Sequence, residues 1–143
     1  MAITQTLTDT FLQDCLDGGH NLGNGGYTLK IALYTSSASL GATTTAYTTS
    51  NEVSGTGYTA GGATLSSQAV AFDSSNNVAY FDAADPAFTT ATITARGALI
   101  YNNSKSNASI AVLDFGSDFT STAGTFTIQL PSAAHNTAII RIS

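Results

Sequence analysis

Charged residues are scarce in this chain. They make up 9% of its 143 residues, whereas about a quarter is usual in globular proteins. Binding to nucleic acid or to an anionic membrane needs clustered cations, so we expect neither partner here. Thr, Ser, Ala, Asn and Gly replace the charges. Such a neutral, hydroxyl-rich surface suits packing against other protein surfaces, or a harsh medium, better than it suits an electrostatic partner. The few basic residues are scattered: Lys30, Arg96, Lys105 and Arg141.

Cysteine and long apolar runs are also scarce. Cys15 is the single cysteine, which excludes an intramolecular disulfide. No stretch approaches the roughly 20 apolar residues of a membrane helix, and residues 1–8 do not read as a basic-then-apolar leader. We therefore expect a protein that is made in a cytosol and stays soluble there. Its length predicts a single domain, residues 1–143, with one core.

In the N-terminal segment, residues 1–17, the sequence predicts an arm followed by one short helix at residues 7–16. Thr8 or Asp9 is expected to cap this helix, and two glycines end it. Cys15 falls on the apolar face, where we expect a small core residue rather than a nucleophile. That face has helical spacing: Leu7, Phe11, Leu12, Cys15 and Leu16.

Most of the remaining chain predicts strands. Residues 27–34 alternate between apolar and polar side chains, as in a strand with one face in a core. Short strands with one helix predict an all-β fold, an antiparallel β-sandwich of jelly-roll or immunoglobulin-like type with one short N-terminal helix. Further strands are expected at 65–73, 78–82, 90–102, 109–115, 125–130 and 137–142, with turns at 74–77, 102–107 and 116–124.

A long loop, residues 35–62, follows the first of these strands. Loops above about 12–15 residues are uncommon and tend to be functional. Its glycine-rich end, residues 55–62, lacks the spacing of a phosphate-binding loop, and we interpret it as a flexible re-entry into the next strand. We expect residues 1–7 and this loop to act as arms. Aromatic residues with polar tips favour interfaces, although covering one end of the sandwich is an equal alternative for these tyrosines: Tyr34, Tyr47 and Tyr58.

Two charged residues join the tyrosines as candidates for a protein interface. Glu52 is the single acid of the loop, and Arg96 lies in the middle of a predicted strand. We expect Arg96 to pair with a loop carboxylate and to hold a sheet edge, with a modest energy.

No residue pattern predicts catalysis. Most of the nine acids lie at turn edges, where Asp makes local hydrogen bonds. His20 and His135 lie in turns without the partners of a zinc site or a triad, and we expect both to be exposed. No Gly-x-Ser-x-Gly elbow is present. We expect no enzyme, no metal and no cofactor; a small hydrolase would have only unpaired acids to support it.

Four segments are distinctive as strings: KIALYTSSASLG at 30–41, AYTTSNEVSGTGYTAGG at 46–62, ARGALIYN at 95–102 and AVLDFG at 111–116. Together they resemble a family of small virion structural proteins of tailed bacteriophages, from about residue 11 to the C-terminus. The resemblance implies a β-rich part of the virion, assembled in the cytoplasm of the bacterial host. It carries no catalytic motif.

Within that family we expect a capsid cement (decoration) protein, which binds the assembled shell and stabilises it. Its partners would be the major capsid protein or other virion proteins, and we expect a homo-oligomer, a dimer or a trimer, because sheet edges need partners. The alternative is a tail, neck or fibre component, including a carbohydrate- or receptor-binding module that uses the loop tyrosines.

Overall fold

The chain is an all-β, antiparallel, sandwich-like fold with one short helix, as the sequence predicts. A computed structural model describes residues 2–23 and 25–143. The described residues form two antiparallel sheets, with strand orders β1-β7-β6-β2-β3 and β4-β5-β8. The elements are β1 (Thr6–Leu7), α1 (Asp9–Leu16), β2 (Leu29–Tyr34), β3 (Ala63–Thr64), β4 (Ala69–Asp73), β5 (Val78–Asp82), β6 (Ala87–Asn102), β7 (Ala108–Thr127) and β8 (Ile140–Ile142).

Helix α1 is capped by Thr8 as predicted and ends at Leu16, but it begins at Asp9 rather than at residue 7, and its apolar face is mostly exposed. Thr8 is the N-cap and accepts a hydrogen bond from the Phe11 backbone N–H. The Thr8 backbone N–H donates to Ile110 in β7 at 3.0 Å, so the helix is fastened at its start. Phe11 alone among the helix residues is buried. The prediction that Cys15 lies in the core is wrong: the helix is fastened to β7 at Thr8 and buries only Phe11, and Cys15 is exposed.

Strand β2 is buried on both faces rather than on one. Leu29, Ile31 and Leu33 belong to the larger core cluster between the sheets. Ala32 and Tyr34, on the opposite face, belong to a second cluster that includes side chains from the long loop. The loop therefore covers the face that the alternation pattern assigned to solvent.

The long hairpin of β6 and β7 replaces a predicted turn. Residues 116–124 were expected to form a turn between two strands, yet they lie within β7 and pair with β6. The register shows why the composition of 116–124 suggested a turn. Gly97 pairs with Asp114 and Ala95 pairs with Phe119, so β7 has more residues than β6 between these two pairs and forms a bulge there. Such a bulge favours glycine at positive φ, and Gly116 has a φ of 82°.

Four predicted strands extend beyond those in the structure, and the first, predicted at 27–34, begins only at Leu29. The structure places β4 at Ala69–Asp73, after a break at Ser67, whose φ is 52°. Strand β7 ends at Thr127, and β8 covers only Ile140–Ile142. The turn at residues 74–77 is confirmed, because the Asp73 side chain accepts hydrogen bonds from the backbone N–H groups of Ser75 and Asn76.

The N-terminal segment packs on the body over its described residues. Ile3 is buried and forms an isolated bridge with Leu40 of the long loop. Thr6 and Leu7, as β1, pair with β7. Residues 2–7 are therefore ordered against the sheet rather than extended as a free arm. In the described part of the chain, no helix has the length and apolar character needed to cross a membrane.

Candidate functional site

The long loop, residues 35–62, is fastened to the strands at several points. The Leu40 backbone bonds with the N-terminal segment, and the Tyr47 N–H donates to Asn107 at 3.0 Å. The Val53 N–H donates to Leu33 in β2 at 2.9 Å, and the Thr56 carbonyl accepts from Thr92 in β6 at 2.9 Å. The loop thus lies along the sheet in a defined path.

Glu52 is the centre of a set of hydrogen bonds that we call the Glu52 cluster: Glu52, Tyr47, Tyr58, Gly61 and Tyr101. One carboxylate oxygen, Oε2, accepts from the Tyr47 hydroxyl at 2.7 Å. The other, Oε1, accepts from the Tyr58 hydroxyl and from the Gly61 backbone N–H, each at 2.7 Å. Hydrogen bonds to an ionised acceptor are stronger than neutral ones. Glu52 therefore joins three separate points of the loop.

The same cluster attaches the loop to β2 and β6. The Tyr58 hydroxyl accepts from the Leu33 backbone N–H at 2.9 Å, and the Tyr101 hydroxyl donates to the Gly61 carbonyl at 2.7 Å. The Tyr47 ring stacks on the Tyr101 ring with centroids 4.8 Å apart. Backbone groups of the sheet edge that would otherwise lack a partner are satisfied in this way.

Burial keeps these phenols protonated. Burial, with the Glu52 charge beside it, raises the pKa of Tyr47 to about 12. The pKa values of Tyr58 and Tyr101 are also raised, first by burial and then by Glu52. Each hydroxyl is therefore a hydrogen-bond donor throughout the physiological pH range.

Tyr34 lies next to the cluster and is fully buried. Its hydroxyl donates to the Thr48 carbonyl at 2.7 Å, and burial strongly raises its pKa. Its backbone forms an isolated antiparallel bridge with Glu52. The structure thus brings Tyr34, Tyr47, Glu52 and Tyr58 together, in contacts within the chain.

Glycines allow the end of the loop to approach the sheet. A Cβ on Gly62 would overlap the Ile31 carbonyl oxygen, and one on Gly57 would lie 2.6 Å from the Ala91 Cα. Both residues also have positive φ. The interpretation of residues 55–62 as a flexible re-entry is therefore wrong, because these glycines serve close packing along β2 and β6.

Arg96 lies apart from the Glu52 cluster. Its Nε is 3.1 Å from Asp114 Oδ1. Asp114 belongs to β7, so the expected pairing with a loop carboxylate is wrong: the partner lies on the neighbouring strand. The Gly116 backbone N–H and then Arg96 lower the pKa of the Asp114 carboxyl. Both side chains are partly exposed, so the pair contributes little to stability.

His20 forms a buried polar cluster that the sequence does not reveal. We expected an exposed turn histidine, but its side chain is 1% exposed, with Nε2 lying 3.2 Å from Asp14 Oδ2. The Gly19 N–H donates to the Asp14 carbonyl and returns the chain against α1. The Nδ1 atom lies 2.9 Å from the Asn102 amide nitrogen. Burial outweighs the Asp14 charge and lowers the pKa of His20, so the imidazole is neutral near pH 7.

A hydroxyl-lined groove of about 340 Å³ runs beside Glu52, between the loop and the β6–β7 hairpin. Unlike the Glu52 cluster, it is open to solvent along exposed positions of both elements. His135, the second histidine, lies elsewhere, 3.1 Å from Asp73. The described residues contain no group of three or more His, Cys, Asp or Glu arranged to hold a metal. The hydroxyls of the groove come from Thr35, Ser54, Thr92, Thr94, Thr120 and Ser121.

The sequence singled out the loop, with Tyr34, Tyr47, Glu52 and Tyr58 as candidates for a protein interface and not as contacts within the chain. It did not point to Tyr101 or Gly61, which complete the cluster. Both lie in strings already singled out, at 95–102 and 46–62. Comparison of the chain with models of protein families, with curated proteins and with solved structures finds no match in any of the three.

Proposed function

We propose that this chain is a structural protein of a tailed-bacteriophage virion, a capsid cement protein that binds the assembled shell and stabilises it. The proposal combines the resemblance of segments 30–41, 46–62, 95–102 and 111–116 to small virion proteins with the geometry of the loop. The observation that carries it is the fastening of residues 35–62 by Glu52, because a loop ordered in advance loses little conformational entropy on docking.

The docking surface in this proposal is the hydroxyl-lined groove and the adjoining loop. Its Ser and Thr side chains are neutral. Thr35, Ser121 and one of the Thr94–Thr120 pair already donate within the chain, but such hydroxyls can still accept, and Ser54 makes no hydrogen bond among the described residues. The neighbouring charge of Glu52 is already shared among three donors. Such a surface suits a protein partner whose polar groups pair with hydroxyls, and each contact is weak. Many copies on one shell lattice would make the assembled layer stable through avidity.

The alternative, a tail, neck or fibre component, stays open, but the geometry gives no specific support to a glycan platform of loop tyrosines. Tyr34 is fully buried, and the hydroxyls of Tyr47 and Tyr58 already bond to Glu52. Fewer polar tips are therefore free to contact a sugar.

The number of copies in purified virions separates these functions. Quantitative mass spectrometry against the major capsid protein is expected to give hundreds of copies per particle. A handful of copies would reject the cement function and favour the tail, neck or fibre position.

A matched pair of variants tests the docking surface. Ser54→Lys places a charge in the groove, whereas Ser74→Lys places it in the exposed turn between β4 and β5. We expect the first variant to lose co-sedimentation with empty shells and the second to retain it. Equal binding by the two variants would exclude the groove as the docking surface.

A further inference from the structure

The smaller sheet carries an exposed apolar patch on β4 and β8. Val70, Phe72 and Ile142 are 55%, 63% and 57% exposed. Large apolar residues that are exposed singly are ordinary, but a group of them on one sheet marks an interaction surface.

The strand register places this patch on the same face of the smaller sheet as the residues that pack into the core. Val70 pairs with Phe81, and Phe81 pairs with Ile140. Phe81 and Ile140 are 2% and 4% exposed and belong to the larger core cluster. Directly paired residues share a face, and so do residues two apart on a strand. Phe72 and Ile142 therefore also face the core side, beyond the area that the larger sheet covers.

Strand β4 is also an open edge. It pairs with β5 on one side, and no backbone hydrogen bond reaches its other side from the described residues. Edge strands in soluble proteins are usually protected by Lys, Pro or a bulge. The β4 sequence, Ala-Val-Ala-Phe-Asp, has neither Lys nor Pro, and its pairing with β5 runs without a register shift.

We propose that β4 pairs antiparallel with β4 of a second copy of this chain, about a two-fold axis at Ala71. The two small sheets then form one continuous six-stranded sheet. This inference does not depend on the function proposed above.

The β4 sequence is complementary to itself in this arrangement. With the axis at Ala71, Val70 lies opposite Phe72 of the partner subunit and Phe72 lies opposite Val70 of the partner subunit. Pairs of an aromatic and a β-branched residue stabilise antiparallel strands. The one charge of the strand, Asp73, falls opposite Ala69 of the partner subunit, so the two carboxylates lie at opposite ends. A parallel arrangement would place them side by side, which is unfavourable.

Disulfide trapping tests the register. In a Cys15→Ser background, Ala71→Cys places two cysteines opposite each other with Cα atoms ~4.5–5.5 Å apart, within disulfide range. Ala69→Cys is the matched control, since its two copies would lie ~13 Å apart along the strands. Both positions are exposed alanines. We expect rapid oxidation to a covalent dimer for Ala71→Cys only. Equal cross-linking, or none at Ala71, would overturn the proposed pairing.

Sedimentation equilibrium tests the apolar contact. Phe72→Lys should weaken dimerisation at least ~10-fold, because it places a charge in the apolar pair. Leu16→Lys, at an apolar residue that is 91% exposed on α1, should leave the dimer intact. A wild-type chain that stays monomeric at high concentration would overturn the proposal. If Phe72→Lys then also lost shell binding, β4 would be assigned to a shell partner instead.

Discussion

Removal of the Glu52 carboxylate should release the long loop and lower the free energy of unfolding substantially. Glu52→Ala leaves the Tyr47 and Tyr58 hydroxyls and the Gly61 N–H without their acceptor. A hydrogen bond to a charged group is worth ~1.5–3 kcal/mol. Because the carboxylate is only partly buried and water replaces some of these contacts, we expect a loss of about 3 kcal/mol rather than the full sum.

Conservative variants divide this loss among the contacts. Glu52→Gln keeps the shape but removes the charge, and should cost about 1–2 kcal/mol. Tyr58→Phe removes both the donor to Glu52 and the acceptor of the Leu33 N–H, and should cost about 2 kcal/mol. Tyr47→Phe removes one hydroxyl bond and should cost about 1 kcal/mol.

Urea unfolding measures these changes, and Tyr27→Phe is the control. Tyr27 is 41% exposed, and no hydrogen bond of its hydroxyl is present among the described residues, so its loss should be below about 0.5 kcal/mol. Tyr47→Phe and Tyr58→Phe should be non-additive, because both act through one carboxylate. If Glu52→Ala unfolded within 0.5 kcal/mol of the wild type, the cluster would not hold the loop.

Three further predictions concern other parts of the fold. The pKa of His20 in the folded chain is lowered from 6.5, so as the pH falls the unfolded chain binds a proton at His20 before the folded chain does. The free energy of unfolding should therefore decline below about pH 7 and level off below the pKa of His20 in the folded chain. The decline should be absent in thermal melts of His20→Gln, and an unchanged pH profile would contradict it. Gly62→Ala should cost roughly 2–4 kcal/mol in urea unfolding, whereas Gly25→Ala, with nothing within 4 Å of its added Cβ, isolates the cost of positive φ alone. Arg96→Ala should cost only about 0.5 kcal/mol, and 1 M salt should remove most of that difference.

Strand β5 was predictable from the hairpin turn that precedes it. Residues 78–82 appear in the structure with the predicted bounds, and the turn at 74–77 follows from its Ser and Asn residues. In β2 the period was correct, but the second buried face was not predictable. The side chains that cover it come from a loop without alternation.

The main errors have a common physical cause, which is that tertiary contacts override local composition. Gly116 suggested a turn, yet pairing with β6 accommodates it as a bulge. Cys15 has the spacing of a buried position, but a two-turn helix fastened at Thr8 leaves it in solvent. His20 is buried because Phe11 and Asp14 of α1 and the distant Asn102 all lie against it.

The candidate site was partly predictable from residue type. Glu52 stood out as the single acid of the loop and was predicted to lie at a protein interface, whereas in the structure its carboxylate bonds within the chain. The sequence did not show that Glu52 accepts from both Tyr47 and Tyr58, because that requires the loop to fold back on β2. In this arrangement the hydroxyls of Tyr47 and Tyr58 bond within the chain, and they are not free for a partner.

Amide hydrogen exchange on the free protein tests most directly whether the loop is ordered before any partner binds. The informative amides are those of Leu33, Val53 and Gly61, which donate to Tyr58, to the Leu33 carbonyl and to Glu52. We predict that all three exchange about as slowly as the core of β2, and that Glu52→Ala selectively accelerates Gly61. Exchange of Val53 and Gly61 at the rate of an unstructured peptide would contradict the account.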